Sequence, residues 1–247
     1  IEVRRASLKT GGSYEADPAA MTELIDSNTV MIVGSAPNFP HGIIDPIAAL
    51  SELAIEKGVW LHVDACVGGF LAPFARMNGV PVPAFDFELE GVQSMSADLH
   101  KYGYAAKGAS TVLFRSAGLY QHMPFDFAGW SGAPMKTPTL AGTRPGGAIS
   151  AAWAVMNHLG VEGYCRLQGK VCAAREKVEQ GLRERGFEIL GTPLLGLIAS
   201  VSSLSLTTWD GAVTRYNSTP FFGALFALMI GGFVLLCTGS NSANEVH

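Results

Sequence analysis

Short apolar runs alternate along the chain with stretches whose apolar residues recur every three or four positions. "TVMIVGSA" (29–36) is a continuous apolar run ending in Gly-Ser, the pattern of a strand buried on both faces. "VWLHV" (59–63), "GVQSMSA" (91–97) and "STVLFR" (110–115) read as further strands. Between them, Asp17-Pro18 predicts an N-cap followed by proline at the first helical position, with Met21, Leu24 and Ile25 on one face. Asp45-Pro46 repeats that signal ahead of a stripe of Ile47, Leu50 and Ala54, and Gly58 stops the helix. Two more helices are expected from about 148 to 185. Strands alternating with helices of this length imply crossover units, hence an α/β fold with a mostly parallel sheet. In such sheets ligands sit beyond the carboxyl ends of the strands.

Composition narrows the function classes. The chain has 247 residues, enough for one large domain or two small ones with a real core. Hydrophobic residues make up 48% and charged ones 15%, so a disordered tail is excluded. A net charge of -4, with no cluster of Lys and Arg, speaks against a nucleic-acid surface. The four cysteines, Cys66, Cys165, Cys172 and Cys237, are widely spaced and match no zinc pattern, so no metal site is expected. They read as reduced cysteines of an intracellular protein.

Against that sparse background, "SADLHKYGYAAKGAS" (96–110) stands out. An acid, a histidine and a lysine come together, followed by Tyr102, Gly103, Tyr104 and a second lysine, Lys107. His62 and Asp64 close the strand "LHVD", and Lys101 lies just past the strand ending near Ala97, so all fall on the ligand edge of the sheet. An Asp that ends an apolar strand is costly to bury without a cationic partner, so a structural ion pair or helix cap is one reading of Asp64. The other is a cationic ligand group for Asp64 and an electrophile for Lys101. Pyridoxal phosphate supplies both: an aldehyde for the lysine and a ring nitrogen that a carboxylate keeps protonated.

"LHVDACVGGF" followed by "SADLHKYGYAAKGAS" resembles the pyridoxal-phosphate-dependent group II decarboxylase superfamily, and most specifically its sphingosine-1-phosphate lyase branch. "VGSAPNFPHGIIDPIAAL" (33–50) and "PTLAGTRPGGAISAAWAVMNHLGVEGY" (138–164) agree, and the resemblance runs from about residue 10 to about 190. It implies the large domain of the fold type I transferases, in part, over 1–190, with a divergent tail over 191–247. By the same resemblance Lys101 matches the lysine that bonds the cofactor aldehyde, and Asp64 the acid that pairs with the pyridinium nitrogen. Ala65 would lie near the ring face and His100 near the cofactor phosphate. Thr143 stands where relatives often have Ser, offered to the phosphate by a neighbouring subunit. Lys107 matches a position suited to the substrate's own phosphate, since an ammonium is a compact point charge; read from the residues alone it is a solvated surface lysine. Leu99 departs from the pattern, where relatives commonly have Thr. Cys66 reads as a small buried hydrophobe, Gly146 and Gly147 as a tight turn, and His41 as a turn histidine.

The activity implied is a carbon–carbon lyase that cleaves a phosphorylated sphingoid base to a long-chain aldehyde and phosphoethanolamine. An amino-acid decarboxylase would use the same lysine and acid, and an inactive fragment of either is a third reading. Relatives imply a homodimer with shared sites and an intracellular location, at the endoplasmic reticulum membrane for a eukaryotic lyase and cytoplasmic otherwise. A Gly-rich phosphate loop and a group stacking on the cofactor ring are not recognisable, and the chain opens without Met, so it reads as a fragment. The tail carries "FFGALFALMIGGFVLLC" (221–237), 17 uncharged residues. As a helix at about 1.5 Å per residue it falls slightly short of a hydrocarbon core of roughly 30 Å. A membrane helix, a buried core helix and read-through of non-coding sequence are the three readings.

Overall fold

The computed structural model describes residues 2–139 and 142–202, together with the backbone of two short strands, 223–226 and 235–238. Its main sheet has four strands in the order β1 (Met31–Ser35), β2 (Trp60–Asp64), β3 (Val92–Ala97) and β4 (Thr111–Phe114). β1, β2 and β3 run parallel, and β4 turns back antiparallel on β3. Helix α1 (Pro18–Leu24) precedes β1, α2 (Ile47–Lys57) carries the chain from β1 to β2, and α3 (Ala72–Met77) from β2 towards β3. These are the two crossovers that the alternation of patterns predicts.

The helix signals work locally, with one exception. Asp17 caps α1 by accepting the Ala19 N–H at 2.9 Å, and Gly58 ends α2 in the left-handed region at φ 65°. Asp45 does not cap α2; Pro46 takes that position, without a side-chain hydrogen bond. The buried Asp45 carboxylate accepts instead from the backbone N–H of Ala16 (3.0 Å) and Ser35 (2.8 Å) and from Asn38 Nδ2 (3.3 Å). It ties the N-terminal segment to the end of β1, satisfying donors that would otherwise be buried unpaired.

The core lies on one side of the sheet. Leu61 and Val63 are fully buried, and pack with Ile47 and Leu50 of α2 and Ala72 and Ala75 of α3. Close approach of α2 needs Gly34, since a Cβ there would lie 2.6 Å from Leu50 Cδ1 and 2.7 Å from Ile47 Cδ1. The expectation that β1 is buried on both faces is corrected. Its residues alternate, with Met31 and Val33 47% and 46% exposed while Ile32 is buried. An apolar run fixes the two-residue period of the side chains, but not how many faces another layer covers.

Helix α4 (Ala117–Tyr120) and a hairpin of β5 (Phe125–Phe127) and β6 (Met135–Thr137) lead to α5 (Gly146–Glu184). The two helices expected here are continuous except at Gly160, whose φ of 57° and ψ of -176° break the helix between them. Tyr164 of α5 stacks on Phe74 of α3 at 4.8 Å, and its hydroxyl donates to the Gly103 carbonyl at 2.9 Å. α5 thereby holds the lysine-bearing loop against the domain.

A second sheet, of β7 (Phe187–Ile189), β8 (Leu197–Ser202), β9 (Gly223–Phe226) and β10 (Leu235–Thr238), is antiparallel throughout. Leu195, between β7 and β8, is fully buried in the main core. The apolar segment 221–237 was open to three readings, a membrane helix, a buried core helix and read-through of non-coding sequence; its described residues form β9 and most of β10 rather than a helix, and the rest lies outside the described residues. Glycines break that run and its apolar residues show no helical period, so length alone was a weak guide. Among the described residues no helix is long and apolar enough to cross a membrane.

Leu50 is fully buried between α2 and β1, so Leu50→Ala is expected to destabilise the chain by about 2–5 kcal/mol. The shift in the urea midpoint measures it; a midpoint equal to that of the parent chain would contradict this account of the core.

Candidate active site

The register of the parallel strands builds the site. Asp64, last residue of β2, pairs with Ser96 of β3 and with Ser35 of β1, so the carboxyl ends of all three strands are level. The Asp64 carboxylate is half-buried, and its Oδ1 accepts from the Cys66 N–H at 3.1 Å and from Ser96 Oγ at 3.0 Å. Burial pushes this carboxyl up, but the Cys66 N–H and thiol, the Ser96 hydroxyl and the positive charge of Lys101 outweigh it. The net result lies below the ordinary aspartate value, and Asp64 makes no ion pair among the described residues.

Beyond β3 the chain closes a tight turn. The Lys101 N–H donates to the Asp98 carbonyl, the Tyr104 N–H to the Lys101 carbonyl, and the Ala105 N–H to the Leu99 carbonyl. Gly103 is required there, because a Cβ would come 2.5 Å from the Leu99 carbonyl oxygen. The turn lifts Lys101 to the same edge as Asp64. Its Nζ donates to Asp98 Oδ2 at 2.8 Å and to Cys66 Sγ at 2.9 Å. Burial lowers the ammonium's affinity for its proton, yet Asp98 and Cys66 raise it further, so Lys101 titrates above the ordinary lysine value. The Cys66 thiol is pushed up, chiefly by burial.

Asp98 is the anchor that the motif by itself does not assign. Only 8% exposed, it also accepts from Ser110 Oγ and lies 3.7 Å from His100 Nε2. His100 Nδ1 is 2.6 Å from the Ala109 carbonyl, which can only accept, so Nδ1 carries the proton. The signal for Asp98 was its place three residues before Lys101, the spacing of neighbours on one turn.

The other expected residues divide. Ala65 is fully buried in the main core cluster, because side chains alternate and its methyl faces away from Asp64. Leu99 packs with Ala109 and Ala152 in a small cluster of its own, so the absent hydroxyl is replaced by apolar contact. Lys107 and Thr143 are exposed and have no side-chain hydrogen bond or ion pair among the described residues. His41 stacks on Tyr14 at 4.4 Å. Among the described residues no cluster of His, Cys, Asp or Glu is fit to hold a metal.

An open cleft of about 580 Å³ adjoins this edge, with His62, Ser96, Ser110, Thr111, Thr139 and Arg144 in its wall. Ser96 and Ser110 are the hydroxyls that bond Asp64 and Asp98, so the two acids lie directly behind the cleft.

A family model described as "Pyridoxal-dependent decarboxylase conserved domain" matches residues 2–200. The chain belongs to that family. Curated sphingosine-1-phosphate lyases are 38% to 47% identical to it; that of Arabidopsis thaliana is 47% identical over 187 residues, 75% of this chain and 34% of that protein. A probable L-tyrosine/L-aspartate decarboxylase of Methanothermobacter thermautotrophicus is 36% identical over 81% of this chain and 54% of its own length. The solved sphingosine-1-phosphate lyase of Burkholderia pseudomallei superposes with a TM-score of 0.76 at 41% identity, over 80% of this chain and 45% of that one. The chain therefore spans about a third of the length of the curated lyases it matches.

The family's cofactor is pyridoxal phosphate, and the residues present fit it. A half-buried carboxylate kept ionised by neighbouring N–H and hydroxyl donors, and without an ion pair among the described residues, suits a protonated ring nitrogen. A partly exposed amine at the same edge suits an aldehyde.

Because Asp98 stabilises the ammonium of Lys101, Asp98→Asn is expected to move Lys101's reactivity to lower pH. Rates of reductive methylation at Lys101, followed by mass mapping across pH, give the two midpoints. An unmoved or higher midpoint in the variant would remove Asp98 from this role.

Proposed function

We propose that the protein of which these residues form part is a pyridoxal-phosphate-dependent lyase. It cleaves a phosphorylated sphingoid base between C2 and C3, giving a long-chain aldehyde and phosphoethanolamine. The observation that carries this reading is the level of identity to sphingosine-1-phosphate lyases, up to 47%, across the segment holding both Asp64 and Lys101. The probable amino-acid decarboxylase at 36% identity supports the second reading, loss of carbon dioxide from an α-carboxylate at the same two residues.

Pyridoxal phosphate, when bound, supplies an aldehyde that takes up amines and a ring that accepts the electron pair of the breaking bond. The chain's own residues prepare that chemistry. Lys101 presents the amine, released from Asp98 when it gives up its proton. Asp64 holds a negative charge at a fixed point, because Cys66 N–H and Ser96 Oγ orient its carboxylate before any ligand arrives. His100, with its Nδ1 proton committed to Ala109, offers Nε2 beside Asp98. Ala65 buttresses Asp64 from the core, while Lys107 and Thr143 lie exposed for the phosphate contacts that the resemblance assigns them. The substrate is thus a small phosphorylated amine. The resemblance also supports a homodimer in which Thr143 serves a neighbouring site, and an intracellular setting, at the endoplasmic reticulum membrane in a eukaryote and cytoplasmic otherwise.

Borohydride reduction of the chain with pyridoxal phosphate, followed by mass mapping, is expected to place an adduct on Lys101. Lys101→Ala should abolish the adduct. Asp64→Asn should retain it while lowering turnover by roughly 10²-fold or more, since the ring nitrogen loses its anionic partner. An adduct elsewhere, with Lys101→Ala unaffected, would sink the assignment; aldehyde rather than carbon dioxide as product separates lyase from decarboxylase.

A further inference from the structure

Three tyrosines hold the turn that carries Lys101 from outside. The Tyr102 hydroxyl donates to the Gly196 carbonyl at 3.3 Å, just before β8. Tyr104 lies edge-on to Tyr102 with ring centroids 6.4 Å apart, and stacks on Tyr164 of α5 at 6.3 Å. The Tyr164 hydroxyl donates to the Gly103 carbonyl at 2.9 Å, two residues beyond Lys101. Burial pushes all three phenols up, Tyr102 to about 12, so each keeps its hydroxyl hydrogen.

The turn does not take this shape unaided. Tyr104 has φ 58°, in the left-handed region, where a residue with a Cβ is strained and glycine is not. Strain of this kind persists only where surrounding contacts over-determine the backbone. Here α5 supplies them, and α5 is itself fixed on α3. Tyr164 stacks on Phe74, and Asn78, at the end of α3, donates from Nδ2 to the Cys165 carbonyl at 2.8 Å. The break at Gly160 lies four residues before Tyr164, so the segment bearing the ring is free to follow α3. We infer that Tyr164 is a positioning residue for Lys101, its hydroxyl clamping the strained turn so that Nζ stays against Asp98 and Cys66.

The inference rests on the proposed function only in taking Lys101 as the amine that reacts. Asp98 and Cys66 touch the ammonium, Asp64 lies within reach of its charge, and His100 flanks Asp98. Without the clamp the strain at Tyr104 relaxes and Nζ moves off Asp98, the contact that does most to hold its proton. A lysine that has to meet a bound aldehyde gains from a fixed direction; a lysine open to any small reagent has lost it.

Reductive methylation of the full chain with formaldehyde at neutral pH reads this without any cofactor, with the exposed Lys136 of β6 as internal reference. Tyr164→Phe keeps the ring on Phe74 and removes only the hydroxyl. It is expected to raise methylation of Lys101 relative to Lys136 by about three- to tenfold, the scale of one lost neutral hydrogen bond, with the rate at Lys136 unchanged. Asp98→Asn should raise the ratio too. In the double variant the ratio should equal that of Asp98→Asn alone within about twofold, because no Asp98 contact is left to lose. A fold that is only looser would raise the ratio by the same factor in both backgrounds. That result, or an unchanged ratio in Tyr164→Phe, overturns the clamp. Borohydride capture of pyridoxal phosphate on the parent chain keeps the two readings apart. No adduct on Lys101 would end the proposed function, and the methylation ratios would still decide the clamp.

Discussion

The parallel pairing of β2 with β3 is the constraint on which the site depends. With Asp64 opposite Ser96, the first acid gains a hydroxyl donor across the ladder, and the chain leaves β3 at the same height as Asp64. Immediately beyond β3 the chain enters the turn that carries Asp98, His100 and Lys101. A slip of one residue would turn Asp64 into the core and Val63 to the cleft, since side chains alternate across the sheet. The fully buried row of Leu61 and Val63 against Leu50 and Ile47 prevents that slip. Apolar burial thus fixes a polar geometry to which it contributes no atoms.

The charges at the site answer one another through short contacts. Asp98 holds Lys101 as an ammonium and is itself held by Ser110 and the nearby His100, so the lysine has a defined place before it meets an electrophile. Asp64 keeps its charge because donors compensate its burial, and among the described residues no cation neutralises it in contact. A carboxylate stabilised by hydrogen bonds, rather than by an ion pair, retains its attraction for an incoming cationic ring. His62 acts in the same sense, since burial lowers its affinity for a second proton and a neutral imidazole leaves that negative charge undiminished.

One face of the main sheet remains open among the described residues, with Met31 and Val33 nearly half exposed. The cleft lies on this face, where His62, Asp64 and Ser96 alternate with the core-facing Leu61, Val63 and Met95. The same alternation that buries one row therefore supplies the polar row from which the site is made.

Much of the architecture was legible in the residue pattern. Asp17-Pro18 started a helix and Gly58 stopped one, and the apolar runs became strands, because capping and side-chain periodicity act over a few neighbouring residues. The motif around Lys101 and the Asp64 strand end also placed both on one edge, since parallel strands bring their carboxyl ends together. Asp45 misled, because its partners Ala16 and Ser35 are distant in sequence and outcompeted the helix start next to it. The helical readings of 221–237 misled because a glycine-broken apolar run has no period to tell helix from strand. Asp98 as the lysine's partner, the burial of Ala65 and the place of Arg144 in the cleft wall were decided only by the tertiary structure. Each depends on which side chains the packed sheet and α5 bring within hydrogen-bond reach, and that distance is set by long-range packing rather than by neighbours along the chain.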